Sequence, residues 1–182
     1  MSMLMRTNVT RGLDELRHEP TAKRIRALLG GETVLDTTAA ALVWEPRRLV
    51  PSYAVPVGDL RGTVVPVAPA DQAGADAGVP LPDISGRPVL DPSVPFEAHT
   101  TPGTVVDVHV NGTIRRCAGL LPDDRDLAGY VVLDFGGFDE WYEEDQRNVA
   151  HPRDPFKRID VLDSSRSVRV SMDGTLLAES SR

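Results

Sequence analysis

The sequence predicts a mainly β fold with one short N-terminal helix and a long Pro/Gly-rich loop, and three observations carry that expectation. Apolar residues gather in short runs rich in Val, Ile and Leu, several of which alternate with charged residues, the pattern of half-buried strands. Glycine pairs or an Asn-Gly pair separate these runs where a hairpin needs positive φ. Only residues 10–18 show helical spacing: Thr10 can N-cap, Leu13 and Leu16 sit three apart, and Pro20 closes the segment.

From residue 24 the period changes to two. Ile25, Ala27 and Leu29 alternate with Arg24 and Arg26, Gly30-Gly31 supplies a turn, and Thr33-Val34-Leu35 returns. Further strands are expected over Ala39 to Trp44, around Leu49 to Val55, and over Val64 to Val67. Residues 69 to 95 carry six prolines and three glycines, which leaves little room for regular hydrogen bonding. A long loop is expected there, pinned by Leu81, Ile84 and Val89. Val105 to Val110 then leads through Asn111-Gly112 into Thr113 to Leu121. Ala128 to Phe135 barely alternates, as a strand buried on both faces does, and Phe138 to Trp141 begins another that ends in Glu143-Glu144-Asp145.

Net charge is −7 over 182 residues, with no basic stripe. Nucleic-acid binding draws its affinity from Lys and Arg against phosphate, so no nucleic acid is expected, and no anionic membrane surface either. No apolar run reaches the ~20 residues that span a bilayer. The single cysteine, Cys117, cannot make an internal disulfide or supply the paired thiolates of a structural zinc site. A cytoplasmic chain without a metal is the expectation; the sequence leaves any cofactor unknown. Cys117 itself reads as a small core thiol, with activation by the flanking arginines as the alternative.

The end of the chain echoes its beginning. Val168-Arg169-Val170, Met172, Gly174, Leu177 and Glu179-Ser180-Ser181 lie over Ile25-Arg26-Ala27, Leu29, Gly31, Val34 and Asp36-Thr37-Thr38. This divides the chain into an extension with the short helix (1–22), a complete β domain (23–155) and the opening hairpin of a second, incomplete repeat (156–182). A lone hairpin is marginal in water, so this one is expected to pack on the first repeat or pair with another chain.

Trp141-Tyr142-Glu143-Glu144-Asp145, His151-Pro152-Arg153-Asp154-Pro155-Phe156, Arg158-Ile159-Asp160-Val161-Leu162 and Ser164-Ser165-Arg166 together resemble the domain-of-unknown-function 427 family. Tyr53, Pro56 and Asp59 match that family's spacing, with Glu45 at its upstream acid. Its longer, actinobacterial-type members resemble two tandem copies, which implies that the second copy is truncated here. The family's cysteine motif is replaced by His99-Thr100-Thr101-Pro102-Gly103, so no role passes to a cysteine. The resemblance implies a β-tent-like arrangement, two small antiparallel sheets meeting over a groove. It also carries a nucleotidyltransferase-like label, but the chain has neither Gly-Ser followed by Asp-x-Asp nor a P-loop.

The candidate ligand-binding residues are Tyr53, Asp59, His99, Trp141, Glu144, His151, Arg153 and Asp154. Proline-flanked Arg153 and Asp154 can present a guanidinium and a carboxylate in fixed directions, or can simply organise a rigid turn. His151 and His99 can exchange protons near neutral pH. Glu144 sits in an acidic run that reads as solvated, as a general acid or as a hard-cation ligand. Trp141 reads as a core anchor or a groove wall. Three functions follow, in order: a binding module for a small polar or anionic ligand; an assembly module, a homodimer through residues 160–182; and an acid–base enzyme using a His/carboxylate pair.

Overall fold

The computed structural model describes residues 12–68 and 89–181. The chain is mainly β, and every strand pairing within its sheets is antiparallel. In chain order the strands are β1 (Arg17–Pro20), β2 (Ile25–Leu29), β3 (Glu32–Thr37), β4 (Ala41–Trp44), β5 (Ser52–Pro56) and β6 (Thr63–Pro66). They continue with β7 (Gly103–Val110), β8 (Thr113–Pro122), β9 (Tyr130–Leu133), β10 (Glu140–Glu143), β11 (Gln146–Asn148), β12 (Val168–Met172) and β13 (Thr175–Ser180). A seven-stranded sheet runs β1-β4-β5-β9-β8-β7-β6, a four-stranded sheet runs β11-β10-β2-β3, and β12-β13 stands as a two-stranded sheet.

The helix expected over residues 10–18 does not form in its described part. Leu13 lies in a turn, and Arg17 and His18 belong to β1, which pairs with β4 from Arg17↔Trp44 to Pro20↔Ala41. An isolated helix of this length is marginal, whereas the edge of β4 offers fixed hydrogen-bond partners. Thr10 lies outside the described residues, as do Leu81, Ile84 and most of the long loop. Val89, the third expected pin of that loop, is buried.

Burial follows strand parity. Leu42, Trp44, Tyr53, Val55, Val131 and Leu133 face the four-stranded sheet and pack with Ile25, Ala27, Leu29, Val34, Phe138 and Trp141. The intervening Ala41, Val43, Ala54 and Val132 form a second cluster on the opposite face, with Leu120 and Leu127. Leu16 and Phe96 pack against that cluster. The central strands are thus covered on both faces, which is why their sequences hardly alternate.

β7 and β8 break register between Val106 and Val108. Cys117 adopts φ 49 there, and the buried Asp107 holds it: Cys117 N–H and the Arg116 guanidinium donate to its two oxygens at 2.8 and 2.9 Å. The carboxylate replaces the ladder bonds that the bulge removes.

The two glycine hairpins share one pairing register. β2–β3 pairs Ile25↔Thr37, Ala27↔Leu35, Leu28↔Thr33 and Leu29↔Glu32, leaving Val34 as the extra residue of a bulge. β12–β13 pairs Val168↔Ser180, Val170↔Ala178, Ser171↔Leu176 and Met172↔Thr175, leaving Leu177 in the same place. Gly31 and Gly174 have φ of 80 and 78 at corresponding turn positions. Their surroundings differ completely: Ile25 and Val34 are 0% exposed, while Val168 and Leu177 are 54% and 57% exposed.

That contrast predicts unequal costs for the same change. Ile25→Ala will destabilise the fold by about 2–5 kcal/mol. Val168→Ala will stay within about 0.5 kcal/mol of the parent. Denaturant unfolding at low protein concentration measures both.

Candidate functional site

On β10 the inward parity that buries Trp141 also buries Glu143, which is 1% exposed. Taking a carboxylate out of water is costly unless it is paired and hydrogen-bonded. Glu143 is surrounded accordingly. The Tyr53 hydroxyl donates to its Oε1 at 2.7 Å, and Arg153 N–H donates to the same atom at 3.3 Å. Lys23 Nζ donates to Oε2 at 2.7 Å, and the Arg153 guanidinium lies 3.9 Å from it. The Asn148 amide donates to the Tyr53 hydroxyl at 3.0 Å and to the His151 carbonyl at 3.0 Å. Burial and the neighbouring Glu143 carboxylate push the Tyr53 phenol far up, so it remains a proton donor.

The network extends to the segment after the domain. Asp160 accepts from Lys23 at 3.0 Å and forms ion pairs with Arg158 at 2.7 Å and Arg153 at 3.5 Å. Burial alone would raise the Asp160 carboxyl, but these cations hold it below the ordinary carboxylate range. Glu144, in the left-handed region at φ 53, is also buried and accepts from Arg24 N–H, Ser164 and Arg166. The three consecutive acids therefore have separate tasks: Glu143 ties the core, Glu144 ties residues 164–166 to the body, and Asp145 pairs with Arg26 at 3.0 Å.

A second buried carboxylate lies on the opposite side of the larger sheet. Glu45, 2% exposed, receives His99 Nδ1 at 3.0 Å, Thr100 N–H at 2.7 Å and Thr101 N–H at 3.1 Å. Arg48 stands 3.7 Å away and donates to the carbonyls of Pro95, Phe96 and Ala98. Together Glu45 and Arg48 shape residues 94–101. Carboxylate on one imidazole nitrogen is the geometry of an oriented general base. Here, however, Nε2 of His99 is sealed from solvent and has no hydrogen-bond partner, and the Phe96 ring packs edge-on against the imidazole at 4.7 Å. In this conformation the pair positions a loop.

The eight candidates thus fall into several places. Tyr53 and Arg153 meet at Glu143, and Trp141 packs beside Tyr53 in the core with its indole N–H on the Phe135 carbonyl. His99 belongs to the Glu45 cluster. Asp59 is exposed and accepts from Thr37 at 2.6 Å, and Glu144 binds the C-terminal segment. Asp154 accepts from Phe156 N–H at 2.9 Å, a local turn. His151 turns its Nδ1 to its neighbour's carbonyl at 2.7 Å and lines a separate small cleft. Tyr53, His151, Arg153 and Asp154 do not share one hollow.

Glu143, Lys23, Asp160 and Arg48 were absent from the candidates, although Glu143 left a signal. It shares strand parity with Trp141, and an acid at an inward position has to be matched by donors. A larger hollow of about 620 Å³ lies beside Lys23 and Arg166, between Pro20 and Phe156, but both cations are already bonded to Glu143, Asp160 and Glu144. Among the described residues no group of three or more His, Cys, Asp or Glu is placed to hold a metal ion, and no helix is long and apolar enough to cross a membrane. No family model, no curated protein and no solved structure matches the chain.

Two outcomes follow from these carboxylates. Tyr53→Phe will cost roughly 1–3 kcal/mol, since it strips a buried acid of one donor, with denaturant unfolding as the measurement. Burial would raise Glu45, but the hydrogen bonds from His99 and Thr100 and the charge of Arg48 outweigh it and hold the group low. Its stabilisation is therefore present above the unfolded-chain carboxyl value and is lost as pH falls through the lower folded-state value. Glu45→Gln will flatten the acid limb of melting temperature against pH.

Proposed function

We propose that this chain is a protein-assembly module that associates with a second copy of itself through the β12–β13 hairpin. The observation that supports this is the shared register of the two hairpins, combined with their opposite burial. In β2–β3 the face bearing Ile25, Ala27 and Leu35 is core, covered by another β-sheet. In β12–β13 the corresponding face bears Val168, Val170 and Ala178, continued by Met172, and all are exposed. An apolar sheet face of this kind is stable when a second sheet covers it.

The chemistry of the hairpin favours a like partner. Its apolar face carries no charge, so an acidic or basic ligand has nothing to pair with there. On the reverse face Arg169 and Glu179 neutralise each other across the strands at 2.9 Å. Nothing repels the same patch on a second molecule, and a two-fold contact between identical patches is the commonest way soluble chains associate. The anchoring of Ser164 and Arg166 to Glu144 fixes the base of the hairpin two residues before β12. This reading also agrees with the tandem layout implied by the resemblance to the domain-of-unknown-function 427 family. A pocket built on Tyr53, Trp141 and Arg153 has less support, because these groups are spent on Glu143 and the core.

Sedimentation velocity of the full chain across the micromolar range will show a concentration-dependent dimer. Val170→Glu will weaken it at least about tenfold, which is about 1.4 kcal/mol, and leave the melting temperature of the dilute protein unchanged. A parent chain that stays monomeric throughout, or a variant that dimerises equally well, overturns the proposal.

A further inference from the structure

A cleft of about 290 Å³ opens between the start of β5, the loop around Pro92 to Phe96, the turn after β9 and the Ala150–His151 corner. Its walls mix polar and apolar surface, with the Phe96 and Phe135 rings among them and Pro51 and Val94 beside these. Asp134 supplies its carboxylate. That residue follows β9 and accepts the Gly136 N–H at 3.0 Å, which fixes its direction.

The charge of Asp134 is poorly compensated. Arg48 also lines the cleft, but its guanidinium is spread over the carbonyls of Pro95, Phe96 and Ala98 and lies beside Glu45. No ion pair joins Asp134 to a basic side chain among the described residues. Burial raises the Asp134 carboxyl above its ordinary value and the charge of Glu97 adds to this, while the Gly136 N–H bond, Arg48 and His99 oppose it. A half-buried carboxylate with no ion-pair partner beside aromatic walls is a favourable place for a positive ligand.

We infer that this cleft binds a small organic cation of the alkylammonium class, with Asp134 as its counter-charge and the Phe96 and Phe135 rings against its alkyl groups. Alternative chemistries fit worse. An anion would meet Asp134. A hard metal ion needs several oxygen ligands, and no such cluster exists among the described residues. A neutral apolar ligand would cover the carboxylate and leave it unpaired. An alkylammonium group satisfies both parts, because its charge is diffuse and its surface suits aromatic walls. The cleft is formed by the body of the domain, with no residue from the hairpin, so this inference is independent of the assembly reading.

Acid weakens the binding, because protonating Asp134 removes the counter-charge. Arg48 stays charged throughout, and the charges of Glu97 and His99 also act on Asp134.

The experiment is a titration of the full chain with choline chloride, followed by amide NMR and calorimetry. Sodium chloride and the uncharged isostere dimethylbutanol serve as controls. Choline will give saturable shifts at Ser52, Phe96 and Gly136, and dimethylbutanol will bind at least roughly tenfold more weakly. Asp134→Asn keeps an oxygen for the Gly136 N–H and will lose affinity roughly tenfold with its melting temperature retained. Phe96→Leu, which keeps apolar bulk but removes a ring, will lose affinity as well. Equal binding of the alcohol, full affinity in Asp134→Asn, or no saturable shift at these amides overturns the inference.

Discussion

The buried carboxylate of Glu143 is the constraint on which the structure turns. A charge at that depth costs several kcal/mol unless donors converge on it, and each donor comes from a different part of the chain. Tyr53 comes from β5 in the larger sheet, Lys23 from the approach to β2, and Arg153 from the segment after β11. Satisfying one acid therefore fixes the two sheets against each other and draws the His-Pro-Arg-Asp-Pro segment onto the body. Asp160 repeats the arrangement one step further out, sharing Lys23 and Arg153 with Glu143. A hydrophobic core alone would hold the sheets together with little preference for the path of that segment, whereas a shared acid specifies it.

Glu45 and Asp107 apply the same principle locally. Glu45 gathers three donors from residues 99–101 and shapes a stretch that has no strand of its own. Asp107 holds open a bulge in the longest hairpin. In all three cases a carboxylate inside the fold replaces backbone pairing that the local sequence cannot provide. The protein thus orders its irregular segments by buried acids, and this is why residues with a catalytic look serve as fasteners.

The paired hairpins show how far local chemistry reaches. Both carry the Gly turn, the alternation and the extra residue, so both reach the same register although one is buried and the other bare. The turn and the strand pattern are sufficient to set cross-strand pairing. Whether an apolar face becomes core or stays exposed in the chain depends on what lies opposite, and nothing in thirteen residues encodes that.

Strand positions, the Asn111-Gly112 and Gly30-Gly31 turns and the doubly buried β9 were legible in the sequence because each rests on neighbours a few residues apart. Arg17 and His18 depart from the helical expectation for the complementary reason: their conformation is set by β4, more than twenty residues away. The same limit governs the candidate site. Side-chain type marked Tyr53, Arg153 and His151 as capable of chemistry, but charge and proton affinity have no meaning until the partner is known. Only the tertiary structure decided that Tyr53 and Arg153 face Glu143, that His99 faces Glu45, and that His151 and Asp134 border the same small cleft, since electrostatic interactions act through space and these pairs are distant in sequence.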